Sequence, residues 1–115
     1  MTVQIRKTYR GLNHEMLCDE VRSLLQKQGI LAVETESQTY GLPSGATQSR
    51  ATLTLRGEPM PGEEQREYGS VHILGAPRDE AKMILEVNDA LLPSEKLAAF
   101  EDDLDFILGP YEVKW

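Results

Sequence analysis

The chain has 115 residues and a mass of 12.9 kDa, which suits one domain with one core. Its apolar fraction of 40% is near the globular average and excludes wholesale disorder. Its formal net charge of −7 argues against non-specific binding to nucleic acid or to an anionic membrane, because both are polyanions.

A first strand is predicted over residues 2–10. Val3, Ile5 and Tyr9 alternate there with polar or charged residues. Period two with β-branched and aromatic side chains is typical of a half-buried strand. Gly11 ends this pattern.

A first helix is predicted next, with Asn13 as its N-cap and Glu15 in the positive first turn. Gly29 fits a left-handed stop after Gln28. At about 100° per residue, one face of this helix is apolar. That face consists of Leu17, Val21, Leu24 and Leu25.

A long hairpin is predicted after this helix. Its first strand, 30–40, becomes polar toward its end, a Gly/Pro turn occupies 41–45, and its second strand covers 48–56. Residues 57–67 combine prolines, glycines and acids, so we expect an exposed, mobile acidic loop there. No second break in composition follows, and residues 1–115 are therefore predicted to form a single domain.

A fourth strand is predicted over residues 68–74, and the segment 79–88 after it is ambiguous. Asp79 is suited to cap a short amphipathic helix. Apolar and polar residues also alternate over 82–87, which indicates a fifth strand paired with the fourth. We favour the strand, because the run is short and 75–80 suits a hairpin loop.

A second helix is predicted from Pro93 onward, with Ser94 as its N-cap and Gly109-Pro110 as its stop. Residues 111–115 alternate again and are predicted to form a final strand docked on the sheet. The apolar stripe of this helix consists of Leu97, Phe100, Leu104, Ile107 and Leu108.

These elements predict a two-layer α+β sandwich. A mainly antiparallel sheet of four to six strands would carry two helices packed on one face. The order strand, helix, two strands, helix, strand, with an extra hairpin, resembles a ferredoxin-like plait or a variant of it. This analogy concerns architecture alone, because the fold hosts many unrelated functions.

Motifs for a cofactor or a metal are absent from the sequence. It contains no Gly-x-x-x-x-Gly-Lys-[Ser/Thr] loop, no Gly-x-Gly pair and no Gly-x-Ser-x-Gly elbow. One cysteine and two histidines are too few for a Cys/His structural zinc site within one chain. We therefore predict no cofactor, no metal, and no nucleic-acid or membrane partner, and the sequence leans toward a non-enzymatic protein.

His14 and Cys18 are the sharpest local pair, since residues four apart are neighbours on a helix. An imidazolium and a helix N-terminus both favour the thiolate that a reactive cysteine requires. Both residues lie at the flank of the apolar face, so we favour a boundary cysteine and a polar first-turn histidine. A single cysteine also excludes an internal disulfide, and a reducing cytoplasm is expected.

A second candidate site surrounds His72 in the fourth strand. If its neighbours in sequence face the core, His72 faces the opposite side with Ser70. Arg50 and Tyr40 would join them if strands two to four are neighbours. We favour a sheet-surface histidine, with a small enzyme or a small-ligand sensor at this face as the alternative.

Four carboxylates in the second helix suggest a metal site or a general acid. Their angles scatter over more than half of the helix circumference, so we interpret them as a solvated acidic face. Negative charge in the last half of a helix is mildly unfavourable, and basic residues of a partner would offset it. The four are Glu101, Asp102, Asp103 and Asp105.

Phe106 departs from the apolar stripe, because it lies nearly opposite it among acidic residues. Either the C-terminal segment folds back over Phe106, or an apolar spot is presented to a second chain. Exposed edge strands also invite pairing between chains. We therefore predict a homodimer with Phe106, Tyr111 and Trp115 as candidate contacts.

The charge is uneven, since residues 1–57 carry a net +2 and residues 58–115 a net −9. We interpret most of this acidity as solubilising surface, although such asymmetry also marks interaction faces. The predicted function is a non-enzymatic, cytoplasmic protein-interaction or self-associating module. A ligand sensor or small enzyme near His72 is the alternative, and an acidic mimic of nucleic acid is a third possibility that the basic first strand disfavours.

Overall fold

The architecture is that of a computed structural model, which describes residues 2–45, 47–57, 61–62, 66–76, 80–88 and 90–113. These ranges contain five strands and two α-helices. In chain order the elements are β1 (Thr2–Arg10), α1 (His14–Lys27), β2 (Ile30–Gly41), β3 (Thr47–Gly57), β4 (Glu67–Ala76), β5 (Glu80–Asn88) and α2 (Ser94–Leu108), followed by a 3-10 turn at Gly109–Tyr111.

The strands form one antiparallel sheet with the order β1-β5-β4-β3-β2. β1 and β2 are therefore its two edges, and α1 connects one edge to the other. The α+β class is confirmed. The ferredoxin-like plait is not confirmed, because four strands follow one another between the helices and α2 comes after the last strand instead of joining two strands.

One face of the sheet carries the core. Alternate strand residues point to this face and form a single cluster with the buried residues of both helices. No described helix lies over the opposite face, which is called the open face below. The buried strand residues are Tyr9, Ile30, Ala51, Leu53, Leu55, Val71, Ile73, Ala81, Met83, Leu85 and Val87.

The local signals of α1 are confirmed. The Met16 N–H donates to Asn13 Oδ1 at 2.8 Å, which caps the helix at its predicted start. The helix ends at Lys27, and Gly29 adopts a φ of +77° that glycine tolerates best. All four predicted apolar-face residues are buried, and Cys18 is buried beside them.

The start of α2 differs from the prediction. Ser94 is the first helical residue, Pro93 holds the cap position, and no side-chain hydrogen bond caps this end. A capping side chain must come from a residue outside the helix, so Ser94 is one position too late to act as the cap. The helix ends at Leu108 as predicted, but Ile107 of the predicted stripe is 42% exposed.

The ambiguous segment after β4 is a strand. β5 pairs with β4 from Gly69↔Val87 to Ala76↔Glu80, so the favoured interpretation is confirmed. The competing helix is wrong, because every second residue of β5 reaches the core face beside β1 and β4.

The final strand is not confirmed in the described part of the chain. After the 3-10 turn, Glu112 forms one isolated bridge with Tyr9, and Lys114-Trp115 lie outside the described residues. Most of the loop predicted at 57–67 also lies outside them. Of that segment the structure describes the end of β3, a turn at 61–62, residue 66 and the start of β4.

Candidate functional site

The distal part of β2 is exposed. Every residue from Val33 to Gly41 is exposed, so this part of the strand shows no alternation between buried and exposed residues. No described strand pairs with the outer side of β2. Its outward N–H and C=O groups are therefore open to another strand.

A β-bulge interrupts the pairing of β2 with β3. Glu34 lies opposite Leu53, whereas Glu36 lies opposite Thr52, and Thr35 is the extra residue between them. Leu53 is buried on the core face and Thr52 belongs to the open face. The bulge therefore places two acids that are two residues apart on opposite faces of one edge strand.

A cleft of about 270 Å³ lies between α1 and this part of β2. The start of α1 packs closely on β4, since a Cβ added at Gly75 would lie 2.7 Å from His14 Cβ. Glycine at this position thus permits the helix position that forms the cleft. Its lining consists of His14, Glu15, Cys18, Asp19, Arg22, Glu34, Ser37 and Ala51.

The cleft is acidic. Arg22 Nη2 lies 3.8 Å from Glu34 Oε2 and balances that carboxylate. Within the described residues, no ion pair involves Glu15 or Asp19. Two carboxylates beside the open edge of β2 are therefore available to a cation from outside the described chain.

Cys18 and His14 line the same cleft, as their spacing predicted. Burial raises the pKa of the Cys18 thiol; Arg22 opposes this increase, and the Glu34 and Asp19 carboxylates add to it. An activated thiolate needs the opposite shift. This environment supports the boundary-cysteine interpretation and not a nucleophile.

His72 is held on the open face. Its Nδ1 lies 3.1 Å from Thr52 Oγ1 and 3.4 Å from Arg50 Nη2. A guanidinium only donates, so the Arg50 contact is a hydrogen bond only in the tautomer in which Nδ1 accepts. The structure thus brings His72 and Arg50 together.

Ser70 and Tyr40 are placed elsewhere on the open face. Ser70 lies opposite Thr54 and Glu86, one row along the sheet from His72. The Tyr40 hydroxyl donates to Gln38 on the edge strand. Of the four predicted residues, only His72 and Arg50 are therefore in contact.

The acidic face of α2 is balanced partly by the chain itself. Lys7 Nζ lies 3.0 Å from Asp105 and Lys27 Nζ lies 3.3 Å from Asp103. Lys7 also lies 3.7 Å from Glu112. No metal-binding group of His, Cys, Asp or Glu side chains is found among the described residues.

The side chain of Phe106 on α2 is 87% exposed, and no described residue covers its ring. Tyr111 is partly exposed, and its ring packs near Gly11. Trp115 lies outside the described residues. Phe106 therefore remains an apolar side chain in solvent, as one of its two predicted interpretations requires.

The edge at β1 differs from the edge at β2. The Val113 N–H donates to the Thr8 carbonyl at 2.8 Å, and Glu112 bridges Tyr9. The C-terminal segment thus covers the end of β1 with main-chain contacts. β2 has no such cover in the described part of the chain.

Comparison with known proteins identified no relative of this chain. No family model, no curated protein and no solved structure matches the chain. Among the described helices, none is long and apolar enough to cross a lipid bilayer.

Sequence reasoning missed the cleft and most of its lining. It singled out His14 and Cys18, but it did not connect them with Asp19, Arg22 or Glu34. One signal was present, since residues 34–40 form a polar run inside a strand pattern. A strand with no buried face is typical of a sheet edge that serves a purpose other than packing the core.

Proposed function

We propose that this chain is a non-enzymatic protein-interaction module whose binding element is the outer edge of β2. The observation that carries this proposal is the exposed segment from Val33 to Gly41, whose outer main-chain groups pair with no described strand and which lies beside a cleft against α1. An extended segment of a partner would add a sixth strand to the sheet there. Main-chain hydrogen bonds supply affinity in this mode, and side-chain pockets supply specificity.

The edge carries only part of the protection that natural edges use. Lysine, proline, bulges and inward charges commonly block edge pairing. β2 has the bulge at Thr35 and two acids, but neither lysine nor proline between Ile30 and Gly41. It therefore discourages pairing with an acidic or identical strand while leaving its main chain accessible.

Selection from a library of extended peptides tests this function. Selected peptides are added to ¹⁵N-labelled protein, and amide chemical shifts are followed residue by residue. We expect the shifts to concentrate in β2 and in the neighbouring β3. Shifts confined to α2, or the absence of any selected peptide, would contradict the assignment to the β2 edge.

Self-association is a second form of this function, and the exposed ring of Phe106 favours it. The proposed homodimer would bury Phe106, together with Tyr111 and Trp115. Light scattering is expected to show a dimer for the wild type and a monomer for Phe106→Ser. A monomeric wild type at high concentration rules the homodimer out.

The reducing cytoplasm remains part of the proposal, and the single cysteine supports it. The alternative is a small-ligand site around His72, whose ring contacts Arg50 and Thr52 on the open face. Thermal denaturation with a small-molecule library and with His72→Ala as control would find such a ligand.

A further inference from the structure

We infer that the β2 edge selects an extended segment with basic side chains on alternate residues. This inference rests on the proposed function and names the chemistry of its partner. The strand would lie along Val33–Gly41, and its basic side chains would point to the helix side, over the cleft lined by Glu15 and Asp19.

Strand geometry produces this selectivity. Side chains of an added strand alternate between the two faces of the sheet. Those on the helix side pass over the cleft, and those on the open side pass beside Glu36. Lysine or arginine at every second position therefore places one basic side chain over the acidic cleft, beside Glu34 and Ser37.

Charge decides between the possible occupants. Glu15 and Asp19 have no ion-pair partner within the described residues, and Glu34 is balanced by Arg22 alone. A second copy pairing through β2 would bring its own three cleft carboxylates to the same place. Like charges across a sheet edge are destabilising, whereas opposite charges are favourable. A basic segment is therefore favoured at the β2 edge, whereas a second copy of the chain is disfavoured there.

The volume of the cleft agrees with one long side chain. Pockets for small molecules usually measure about 300–1,000 Å³, and this cleft is near 270 Å³. The apolar stem of a lysine or arginine would lie along Ala51 and Cys18, while its charged end stays near the carboxylates.

The probes are fluorescein-labelled peptides of about nine residues in which lysine and threonine alternate, with matched glutamate and glutamine versions. Anisotropy is expected to show binding of the lysine peptide at least about tenfold tighter than that of the glutamate peptide. Asp19→Asn and Glu15→Gln should each weaken lysine-peptide binding by roughly two- to fivefold. Asp102→Asn, on exposed α2, is the matched control and should leave the dissociation constant unchanged.

N-methylated peptides separate the two proposals. Methyl groups on alternate amides block a strand ladder only when those amides face β2, so one of the two methylation frames should abolish binding. Frame dependence without charge preference overturns the basic partner and leaves the proposed function standing. Charge preference without frame dependence, or no binding of any peptide, overturns the edge pairing itself.

Discussion

The two edge strands of this sheet hold equivalent positions at its two ends but differ in their surroundings. In β1, half-buried residues alternate with exposed ones and Tyr9 is buried, Lys7 pairs with α2, and the end of the strand is covered by residues 112–113. β2 is longer, polar in its distal part, and uncovered on its outer side in the described chain. One edge is thus protected by the chain itself, whereas the other depends on two acids and a bulge.

This contrast shows where the chain can add a partner without disturbing its own core. At Thr8 and Tyr9 the main chain of β1 already contacts the C-terminal segment, and a partner strand at that end would have to displace it. The distal part of β2 contributes no buried side chain after Ile30, so a partner there leaves the core unchanged.

The residues that cover the end of β1 follow α2 in the chain. Phe100 is fully buried on that helix, and Phe100→Ala should lower the free energy of unfolding by about 3–5 kcal/mol. Phe106→Ala on the same helix should change it by less than about 0.5 kcal/mol, because that ring is exposed. Urea denaturation measures both, and equal losses would contradict the described packing of α2.

Alkaline pH should lower the free energy of unfolding through Tyr9 of β1. Burial raises the pKa of Tyr9, and the nearby carboxylates of α2 and Glu112 raise it further. In the unfolded chain the phenol loses its proton near its ordinary pKa of 10.0, whereas the folded chain still holds it. This contribution to stability is therefore complete below pH 10 and should decline above it, by about 1.4 kcal/mol per pH unit at most.

Tyr9→Phe tests the assignment of this pH effect. The Tyr9 hydroxyl is buried with no hydrogen-bond partner in the described structure, so its removal should not destabilise the protein at pH 7. The variant should lose part of the alkaline decline in urea unfolding between pH 8 and pH 11. Tyr111→Phe is the control at a partly exposed ring, and a decline unchanged in Tyr9→Phe would refute the assignment.

The cover over β1 can be removed by shortening the chain. A protein ending at residue 111 loses the Val113–Thr8 hydrogen bond and the Glu112 contacts. We expect it to be about 1 kcal/mol less stable than a protein ending at residue 113, which keeps them. Equal unfolding free energies for these two lengths would show that residues 112–113 do not stabilise β1.

A lysine on β2 should affect binding and not folding. Ser37 is exposed and lines the cleft, so Ser37→Lys should change stability by less than about 0.5 kcal/mol. The added charge should still weaken lysine-peptide binding severalfold. Thr2→Lys makes the same change on exposed β1 and should leave binding intact; a similar loss in both variants would mean that only net charge matters.

Local signals explain which parts of the fold were predictable. Asn13 and Gly29 mark the ends of α1 because capping and positive φ are properties of a few adjacent residues. β5 was predicted by its period of two. The cap of α2 was placed one residue late, since the sequence Pro93-Ser94 allows either residue at the cap position.

The candidate site was predictable only in part. His14 and Cys18 are four residues apart, and the helix alone brings them together. Asp19 on α1 and Glu34 on β2 line the same cleft, and the bulge at Thr35 determines which face of the sheet Glu34 lies on. A strand pattern does not reveal a bulge, so no alternation count would have placed Glu34 in the cleft.

Local patterns are enough to predict the five strands and both α-helices, and residue counts are enough to predict the uneven charge, because each depends on neighbouring residues or on composition. Strand order depends instead on contacts between distant segments, so the fold is needed to identify β1 and β2 as the edges. The fold also decided that Lys7 and Lys27 balance α2 and that the acids beside β2 face a cleft. Long-range packing fixes these pairings, and for that reason the open edge and its acidic cleft emerged only from the fold.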